Sequence, residues 1–295
     1  MVKRISCPIF CIIFCIFSFL TVFSGCSTQT QYTKIQSETR YSEEKITIIP
    51  TETTEQIKRS QAVLEDGVWN TQDVDISHIN PSKKLISFTF DDAPKRSLES
   101  ILAVYASFNE THPNCKASGT IFCNGNLIDN DVSQSLQTAL TLGFELGNHT
   151  FSHYDLTKLD KQTLQEEITK TDELLSRVDG KDRHLFRAPY GRINDDINPT
   201  IPVPVIDWTI DTLDWTGASV EAIYETVFSQ KFSGAIVLMH DGYPNTVYAL
   251  KRLLPDLEEA GYQVVSVSAM AKMHDCKLKA GSVYIRARKN GTTVK

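Results

Sequence analysis

Residues 85–92 read Leu-Ile-Ser-Phe-Thr-Phe-Asp-Asp, a run of strand type that ends in two adjacent carboxylates. Similar short apolar runs recur along the chain, at 120–123, 144–147, 184–187, 203–208, 235–239 and 262–267. Helical patterns lie between several of these runs, with apolar residues spaced at i, i+3, i+4 and i+7, over 98–105, 164–175 and 247–257. Repeated strand–helix units of this kind predict a parallel sheet, either open or closed into a barrel.

Ionisable side chains stand at the ends of three of these runs: Asp91 with Asp92, then Arg187, then His240 with Asp241. In parallel α/β architectures, ligand sites gather beyond the carboxyl ends of the strands, whether the sheet is open or closed. We therefore predict that one rim of the sheet carries these groups and the functional site.

The chain has 295 residues and a formal net charge of −6, with 41% hydrophobic and 22% charged residues. This composition excludes collagen-like and wholly disordered chains, and the length allows one large domain with appendages. Residues 1–25 carry Lys3 and Arg4 but no acid, so their removal would make the chain more negative still. Nucleic-acid binding rests on neutralisation of phosphates by Lys and Arg. We therefore expect no nucleic-acid partner.

The N-terminus is organised like an export signal. Two cations precede an apolar run at 5–23, and two small residues then lead to Cys26. The segment 23–26 resembles a bacterial lipobox, which implies that Cys26 is lipid-modified and begins the mature protein. The alternative is an uncleaved membrane anchor, since about 18 apolar residues can span a bilayer. Both interpretations place the rest of the chain outside the cytoplasm, attached to the cell membrane.

Four segments follow from the pattern of composition: a lipoprotein-type signal at 1–25, a flexible linker at 26–82, the α/β domain at 83–272 and a C-terminal tail at 273–295. The linker is assigned because it is rich in Thr, Ser, Gln and Glu and has little apolar periodicity. Beyond it lie three cysteines, Cys115, Cys123 and Cys276, among which at most one disulfide can form.

Two histidines, His149 and His153, stand four positions apart. On a helical turn this spacing places both imidazoles on one face, with their Cβ atoms about 5–6 Å apart. With one Asp of the 91–92 pair they would form a three-ligand metal site with positions open for water and substrate. The same ligand set would serve an iron oxygenase. The plainer alternatives are buried, hydrogen-bonded histidines and carboxylates that cap a helix starting near Pro94.

Five separated segments resemble, in the same order, the motifs of the NodB-like polysaccharide deacetylases: TFDDAP at 89–94, HTFSH at 149–153, RAPYG at 187–191, DTLDW at 211–215 and VLMH at 237–240. The resemblance covers residues 83–272, with Ala93 where the family usually has Gly. It implies an α/β fold, a distorted TIM-like (β/α) barrel. It also implies a divalent metal cofactor, usually zinc, with cobalt or another divalent ion in some members.

The resemblance further implies roles for individual residues. The implied metal ligands are Asp92, His149 and His153. The implied catalytic set is Asp91 as general base, Arg187 orienting Asp91, His240 as general acid and Asp214 tuning His240. The implied contacts to the substrate are the backbone N–H of Tyr190 at the oxyanion, and Trp215 and Leu238 lining the acetyl pocket.

These roles predict a hydrolase that removes N-acetyl groups from N-acetylglucosamine units of a polysaccharide. Peptidoglycan is favoured as the substrate, ahead of chitooligosaccharides, because a lipid-anchored domain on a linker lies beside the cell wall. The alternatives are an O-deacetylase of acetylxylan from the same family and a non-catalytic surface glycan-binding lipoprotein. We expect a monomer whose partners are the polysaccharide and the membrane.

Overall fold

In a computed structural model of the chain, residues 63–64 and 66–288 are described. The predicted export signal, Cys26 and most of the predicted linker lie outside these residues. Among the described residues, no helix combines the length and the apolar character needed to cross a bilayer.

A nine-stranded sheet organises the described part of the chain. Its strands are β1 (Lys84–Ala93), β2 (Thr120–Cys123), β3 (Glu145–Asn148), β4 (Leu185–Phe186), β5 (Val205–Ile206), β6 (Ile210–Asp211), β7 (Ile236–His240), β8 (Tyr262–Val264) and β9 (Val283–Tyr284). The order is β6-β7-β1-β2-β3-β4-β5-β9, with β8 paired to the start of β1, and every pairing between these strands is parallel. A bridge between Ala235, just before β7, and Arg286, just after β9, links the two sides of the sheet. The predicted distorted barrel is confirmed in the form of a curled, incomplete barrel.

Six α-helices accompany the sheet in the described residues: α1 (Leu98–Thr111), α2 (Asn130–Thr141), α3 (Lys161–Asp179), α4 (Val220–Gln230), α5 (Pro244–Glu259) and α6 (Val267–Met273). The predicted helical patterns fall within α1, α3 and α5 and are confirmed. One boundary prediction is wrong, because Val267 begins α6 instead of ending a strand. The cause is local: the Ser266 side chain accepts the N–H of Ala269 and caps a new helix.

Strand β1 is buried on both faces, which is typical of a parallel sheet. Ile86, Phe88 and Phe90 belong to the hydrophobic core that also contains the buried faces of α1 and α5. Because side chains alternate along a strand, Thr89 and Asp91 point to the opposite face, the inside of the curled sheet. The strand therefore uses its apolar residues to hold helices and its polar residues to build a site.

The packed domain extends beyond the predicted span of 83–272 at both ends. Before that span, Trp69 and Ile79 are buried in the core, and the Trp69 Nε1 donates to Ser268 Oγ at 2.9 Å. After it, β9 joins the sheet beside β5. These contacts correct the predicted boundaries. The sequence did not reveal them because isolated apolar residues in polar surroundings leave no periodic pattern, although each of them packs against the domain. Cys115, Cys123 and Cys276 are all buried, and no disulfide forms among them.

Candidate active site

The two carboxylates that follow the first strand separate in space. Asp91 is buried, with 4% of its surface exposed, and its Oδ1 accepts a hydrogen bond from Arg187 Nη1 at 2.7 Å. Asp92 has a φ of 62°, which turns the chain and directs its carboxylate toward a different set of partners. The left-handed residue is thus Asp92 and not Ala93, so the alanine at position 93 needs no backbone conformation that favours glycine.

Neither carboxylate caps a helix. Helix α1 begins at Leu98, and the backbone N–H groups that precede it, those of Lys95 and Ser97, donate to Asp241, with Ser97 N at 3.0 Å from Oδ1. Asp241 in turn donates its own N–H to the backbone oxygen of Asp91 at 2.9 Å. The capping alternative is therefore excluded, and Asp241 is the residue that fixes the turn after β1.

Asp92 lies with the two histidines. Its Oδ1 is 3.2 Å from His153 Nε2 and 3.8 Å from His149 Nε2. One ligand atom from each of Asp92, His149 and His153 can be chosen so that all three lie within 4.8 Å of one another. Two imidazole nitrogens and a carboxylate oxygen converging in this way form a candidate site for a divalent cation.

The geometry that joins His149 and His153 is not a helical turn, so that part of the sequence interpretation is wrong. The residues after β3 form a loop in which Thr150 has a φ of 68° and His153 a φ of 59°. These two left-handed residues fold the loop back and bring the imidazole centroids to 4.9 Å. A loop, and not a helical turn, can hold the two histidines together here because other parts of the fold contact and support it.

The hydrogen bonding of His149 suits a metal ligand. Its ring is 2% exposed, and Nδ1 lies 2.8 Å from the backbone oxygen of Arg187. A carbonyl only accepts, so Nδ1 is the donor in this contact, and Nε2 is the nitrogen that faces Asp92. The site therefore fits a divalent cation in its donor types, in the convergence of the donors and in the orientation of this ring.

The charges around the ligand cluster favour the protonation states that a cation needs. Burial raises the pKa of the Asp92 carboxyl, but His149, Lys95 and His153 lower it by more, so the pKa lies below its usual value. Burial and the neighbouring His149 lower the pKa of His153, against the opposing effect of the two aspartates. Lys95 Nζ lies 3.1 Å from Asp92 Oδ2. The cluster thus combines an ionised carboxylate with a neutral imidazole.

Arg187 is fully buried inside the curled sheet. It follows β4, three strands away from β1, yet its Nη1 donates to both Asp91 and the hydroxyl of Thr89, at 2.7 and 2.6 Å. Its remaining nitrogens donate to the backbone oxygens of Ile206 and Asp207, at 2.8 and 3.1 Å. A buried charge of this kind is tolerated only when it is paired and hydrogen-bonded. Arg187 therefore locks Asp91 in one orientation.

His240 and Asp214 form the second charged pair at the rim. Asp214 is buried, and its Oδ1 lies 2.7 Å from His240 Nδ1 while its Oδ2 accepts the backbone N–H of His240 at 2.8 Å. Thr246 donates to the same Oδ2 at 2.6 Å. Burial lowers the pKa of His240, but the hydrogen bond with Asp214 and the charges of the nearby aspartates outweigh it, so the pKa is raised. Nε2 of His240 is left to face the site.

The predicted substrate-contacting residues surround these groups. Tyr190 lies in a short turn at Pro189–Gly191 with a φ of 61°, and its ring packs edge-on against His153 with centroids 4.6 Å apart. Tyr190 and Trp215 are 61% and 51% exposed. Leu238 is buried on β7, on the same strand face as His240 two residues later.

Several contributors were missed by the sequence reasoning: Thr89, Trp208, Thr246 and the anchoring role of Asp241. Trp208 lies 5.6 Å from the Arg187 guanidinium and packs so closely on Gly191 that a Cβ there would meet the ring at 2.8 Å. A strand-end position was the only available signal, and it marked Asp241 alone. The others act through contacts between distant segments.

Comparison with known proteins places this site in a family. The polysaccharide deacetylase profile matches residues 78–201, which include the Asp91–Asp92 pair, both histidines and Arg187. A peptidoglycan-N-acetylglucosamine deacetylase of Bacillus cereus is 30% identical over 200 residues, covering 65% of this chain and 90% of the relative. The peptidoglycan-N-acetylmuramic acid deacetylase PdaC of Bacillus subtilis is 29% identical over 195 residues, covering 66% of this chain.

The chain spans only 40% of the length of PdaC. Among solved structures, the Xyl-CE4 domain of a multidomain xylanase from the hindgut metagenome of Trinervitermes trinervoides has a TM-score of 0.65 and 26% identity, covering 71% of this chain and 100% of that domain. The parallel curled sheet, the profile match and 30% identity to a relative covered over 90% of its length show that this chain belongs to the polysaccharide deacetylase family.

Proposed function

We propose that this chain is a metal-dependent hydrolase that removes N-acetyl groups from N-acetylglucosamine units of a cell-wall glycan. The observation that carries the proposal is that two kinds of group meet at one rim. The cluster of Asp92 and the two histidines offers ligands, while Asp91 and His240 each have a dedicated charged partner outside that cluster. A protein that only bound glycan would need neither of these pairs.

We propose that Asp92, His149 and His153 hold the cation, with zinc as the expected metal and cobalt or another divalent ion as the alternative. A divalent cation there would polarise the acetyl carbonyl and increase the acidity of water, as Lewis acids do in hydrolases. Tyr190 packs against the ring of His153, and both Tyr190 and Trp215 present exposed aromatic rings.

Asp91 is proposed as the general base. Arg187 occupies its Oδ1, and the second oxygen, Oδ2, lies 3.6 Å from His149 Nε2, so it faces the ligand cluster. A water molecule attacking the acetyl carbon from that side would lose its proton to Oδ2. The guanidinium prevents rotation of the carboxylate, which keeps the accepting oxygen in place during proton transfer.

His240 is proposed as the general acid that protonates the departing amine nitrogen. Its Nδ1 is held by Asp214, so the proton on Nε2 is the one available for transfer. The backbone N–H of Tyr190 is proposed to stabilise the oxyanion, and Trp215 with Leu238 to enclose the acetyl methyl group. Amide hydrolysis requires a base, an oxyanion donor and an acid, and each has a residue here.

Replacement of Asp214 by Asn should move the alkaline limb of the pH–rate profile to lower pH. His240 acts only while protonated, and its hydrogen bond with the Asp214 carboxylate helps to raise its pKa. Loss of that charge lowers the pKa, so activity should fall at a pH where the unmodified enzyme is still active. Initial rates of acetate release across the pH range would show the shift.

Thr246→Val is the matched control for this measurement. It removes a hydrogen bond to Asp214 Oδ2 but leaves Oδ1 bonded to the imidazole. Its alkaline limb should therefore move much less than that of Asp214→Asn. An unmoved limb in Asp214→Asn itself would mean that another group supplies the proton.

Peptidoglycan is proposed as the substrate, with chitooligosaccharides as shorter substrates of the same chemistry. Support comes from relatives named peptidoglycan deacetylases that act on N-acetylglucosamine or N-acetylmuramic acid. The second candidate is O-deacetylation of acetylxylan, which is favoured by similarity to a bifunctional xylanase/deacetylase of Pseudobutyrivibrio xylanivorans and to the Xyl-CE4 domain.

Acetate release from three polymers tests the proposal: peptidoglycan, chitooligosaccharides and acetylxylan, each with added Zn²⁺ and with a chelator. The expected result is metal-dependent release from one of the N-acetylated substrates. Release of acetate from acetylxylan alone would show that the enzyme is an O-deacetylase and not an N-deacetylase. Glycan binding without release from any substrate would support the non-catalytic alternative.

We further propose that the protein acts outside the cytoplasm, attached to the cell membrane through a lipid on Cys26, as a monomer. Support comes from the sequence pattern around Cys26. The variant Cys26→Ser should release the protein from membranes into the soluble fraction, because the lipid attachment site is lost. Immunoblots of both fractions would show this, and unchanged membrane retention would favour an uncleaved anchor.

A further inference from the structure

One face of α3 supports residues 148–153, which we call the ligand loop. Asn148 is fully buried, and its Nδ2 donates to the backbone oxygen of Ile168 at 2.9 Å and to Asp172 Oδ1 at 3.0 Å. Its Oδ1 accepts the backbone N–H of Thr150 at 2.9 Å. The side chain of Asn148 therefore connects the helix with the first left-handed residue of the loop.

The connection continues to a metal ligand. Thr150 Oγ1 accepts the backbone N–H of His153 at 3.0 Å. A continuous series of hydrogen bonds thus runs from Asp172 through Asn148 and Thr150 to His153. Left-handed conformations at residues other than glycine cost about 1–3 kcal/mol each, so Thr150 and His153 keep theirs only while their surroundings hold them.

A second contact ties the same loop to the same helix. Glu167 is buried, and its Oε2 accepts the backbone N–H of Ser152 at 2.6 Å. Thr171 lies between the two acidic residues on the buried face of α3, and its hydroxyl would be 2.6 Å from a Cβ at Gly125. The N–H of Gly125 donates to the backbone oxygen of Thr150 at 2.9 Å. The loop is therefore enclosed on this side.

Asp172 itself is held by a buried cation that the proposed reaction does not use. His184 Nδ1 lies 2.8 Å from Asp172 Oδ1, and its Nε2 lies 3.2 Å from Asp179 Oδ1. Burial lowers the pKa of His184, but the hydrogen bonds and charges of these two aspartates raise it to about 9. At neutral pH the imidazolium donates through both nitrogens. It therefore balances the negative charge of Asp172 and fixes the orientation of that carboxylate.

We propose that Asp172 and Glu167 are positioning residues for the metal-binding loop and that His184 holds Asp172 in place. Affinity for the cation would then depend on side chains that contact neither metal nor substrate. The inference rests on the proposed metal site and adds to it a supporting layer on α3. Loss of a group that hydrogen-bonds a metal ligand directly typically weakens metal binding by about 10- to 100-fold, and for these more distant residues we expect the lower end of that range.

The test compares full-length Asp172→Ala and Glu167→Ala with the unmodified protein. Metal-free samples are titrated with Zn²⁺ against a chelating indicator, and amide hydrogen exchange of residues 149–153 is followed before metal is added. The expected result for Asp172→Ala is about tenfold weaker Zn²⁺ binding, together with faster exchange in the loop. Asp172→Asn keeps an oxygen that can accept from Asn148. Its Zn²⁺ affinity and loop exchange should therefore lie between those of Asp172→Ala and those of the unmodified protein.

Glu145→Gln is the matched control. Glu145 is a buried carboxylate at the other end of β3, where it is bonded to Ser268 and Thr120, away from the loop. It should lower thermal stability and leave Zn²⁺ affinity and loop exchange unchanged. Equal weakening by Glu145→Gln would reduce the effect to general stability and overturn the inference.

Unchanged affinity and exchange in folded Asp172→Ala and Glu167→Ala would also overturn the inference. If Asp172→Ala does not fold, Asp172→Asn and Glu167→Ala decide the question by the same two measurements. Unmodified protein that binds no Zn²⁺ or other divalent ion would overturn the proposed function instead. In that event loop exchange in the metal-free variants still decides whether α3 positions the loop.

Discussion

The variant His153→Ala should contain no stoichiometric divalent metal and should release acetate at least about a thousandfold more slowly, since a catalytic metal supplies several kcal/mol of transition-state stabilisation. His153 Nε2 is 3.2 Å from Asp92 Oδ1, nearer than His149 Nε2 at 3.8 Å. Two remaining ligands cannot form the three-ligand set of a catalytic site. Elemental analysis after dialysis and initial-rate assays would measure both effects.

The control for this variant is His112→Ala. His112 stacks on Phe108 at the end of α1 and is half-buried, as His153 is, but it has no contact with the ligand cluster. It should keep its metal and its activity. A folded His153→Ala protein that remains metal-loaded and active would show that the ligand assignment is wrong.

The variant Asp91→Asn should keep its metal but lose turnover by about 10²- to 10⁴-fold, the usual contribution of a general base. The amide has nearly the same shape as the carboxylate but cannot accept a proton at neutral pH. Asp92 and both histidines are unchanged, so metal content should match that of the unmodified protein. The separation of metal content from turnover distinguishes this variant from His153→Ala.

Asp91→Asn should also lower stability, because it removes the charge that pairs with the buried Arg187 guanidinium. Thermal unfolding would measure this loss, and assays well below the melting temperature keep it separate from the loss of turnover. Asp256→Asn, at a carboxylate bonded to Tyr224 between α4 and α5, should leave the rate unchanged. Ordinary kinetics in Asp91→Asn would remove this residue as the base.

The strands and the rim were predictable because both depend on short stretches of sequence. The apolar run before Asp91 forms β1, and the run before His240 forms β7, directly beside it. Asp91 and His240 are paired in register across these two parallel strands. Two strand ends that were identified separately are thus adjacent in space.

The histidine loop could not be derived from spacing. Four positions suggested a helix, yet Thr150 and His153 adopt left-handed conformations that depend on Asn148 and on α3. The two-residue strands β6 and β9 were also missed because, unlike the equally short β4 and β5, they lie outside the apolar runs identified in the sequence. Their pairing is decided by neighbours that lie far away in the sequence.

By itself, the sequence determined the repeated strand–helix order, the strand-end carboxylates and the five family motifs, because each is written in adjacent residues. The resemblance implied that Asp91 pairs with Arg187 and Asp92 with the histidines, but only the tertiary structure shows the contacts that separate the two carboxylates. The physical reason is the curl of the sheet, which brings the end of β4 opposite β1, together with the left-handed turn at Asp92. Contacts of this kind join segments that lie far apart along the chain, so no pattern of adjacent residues predicts them.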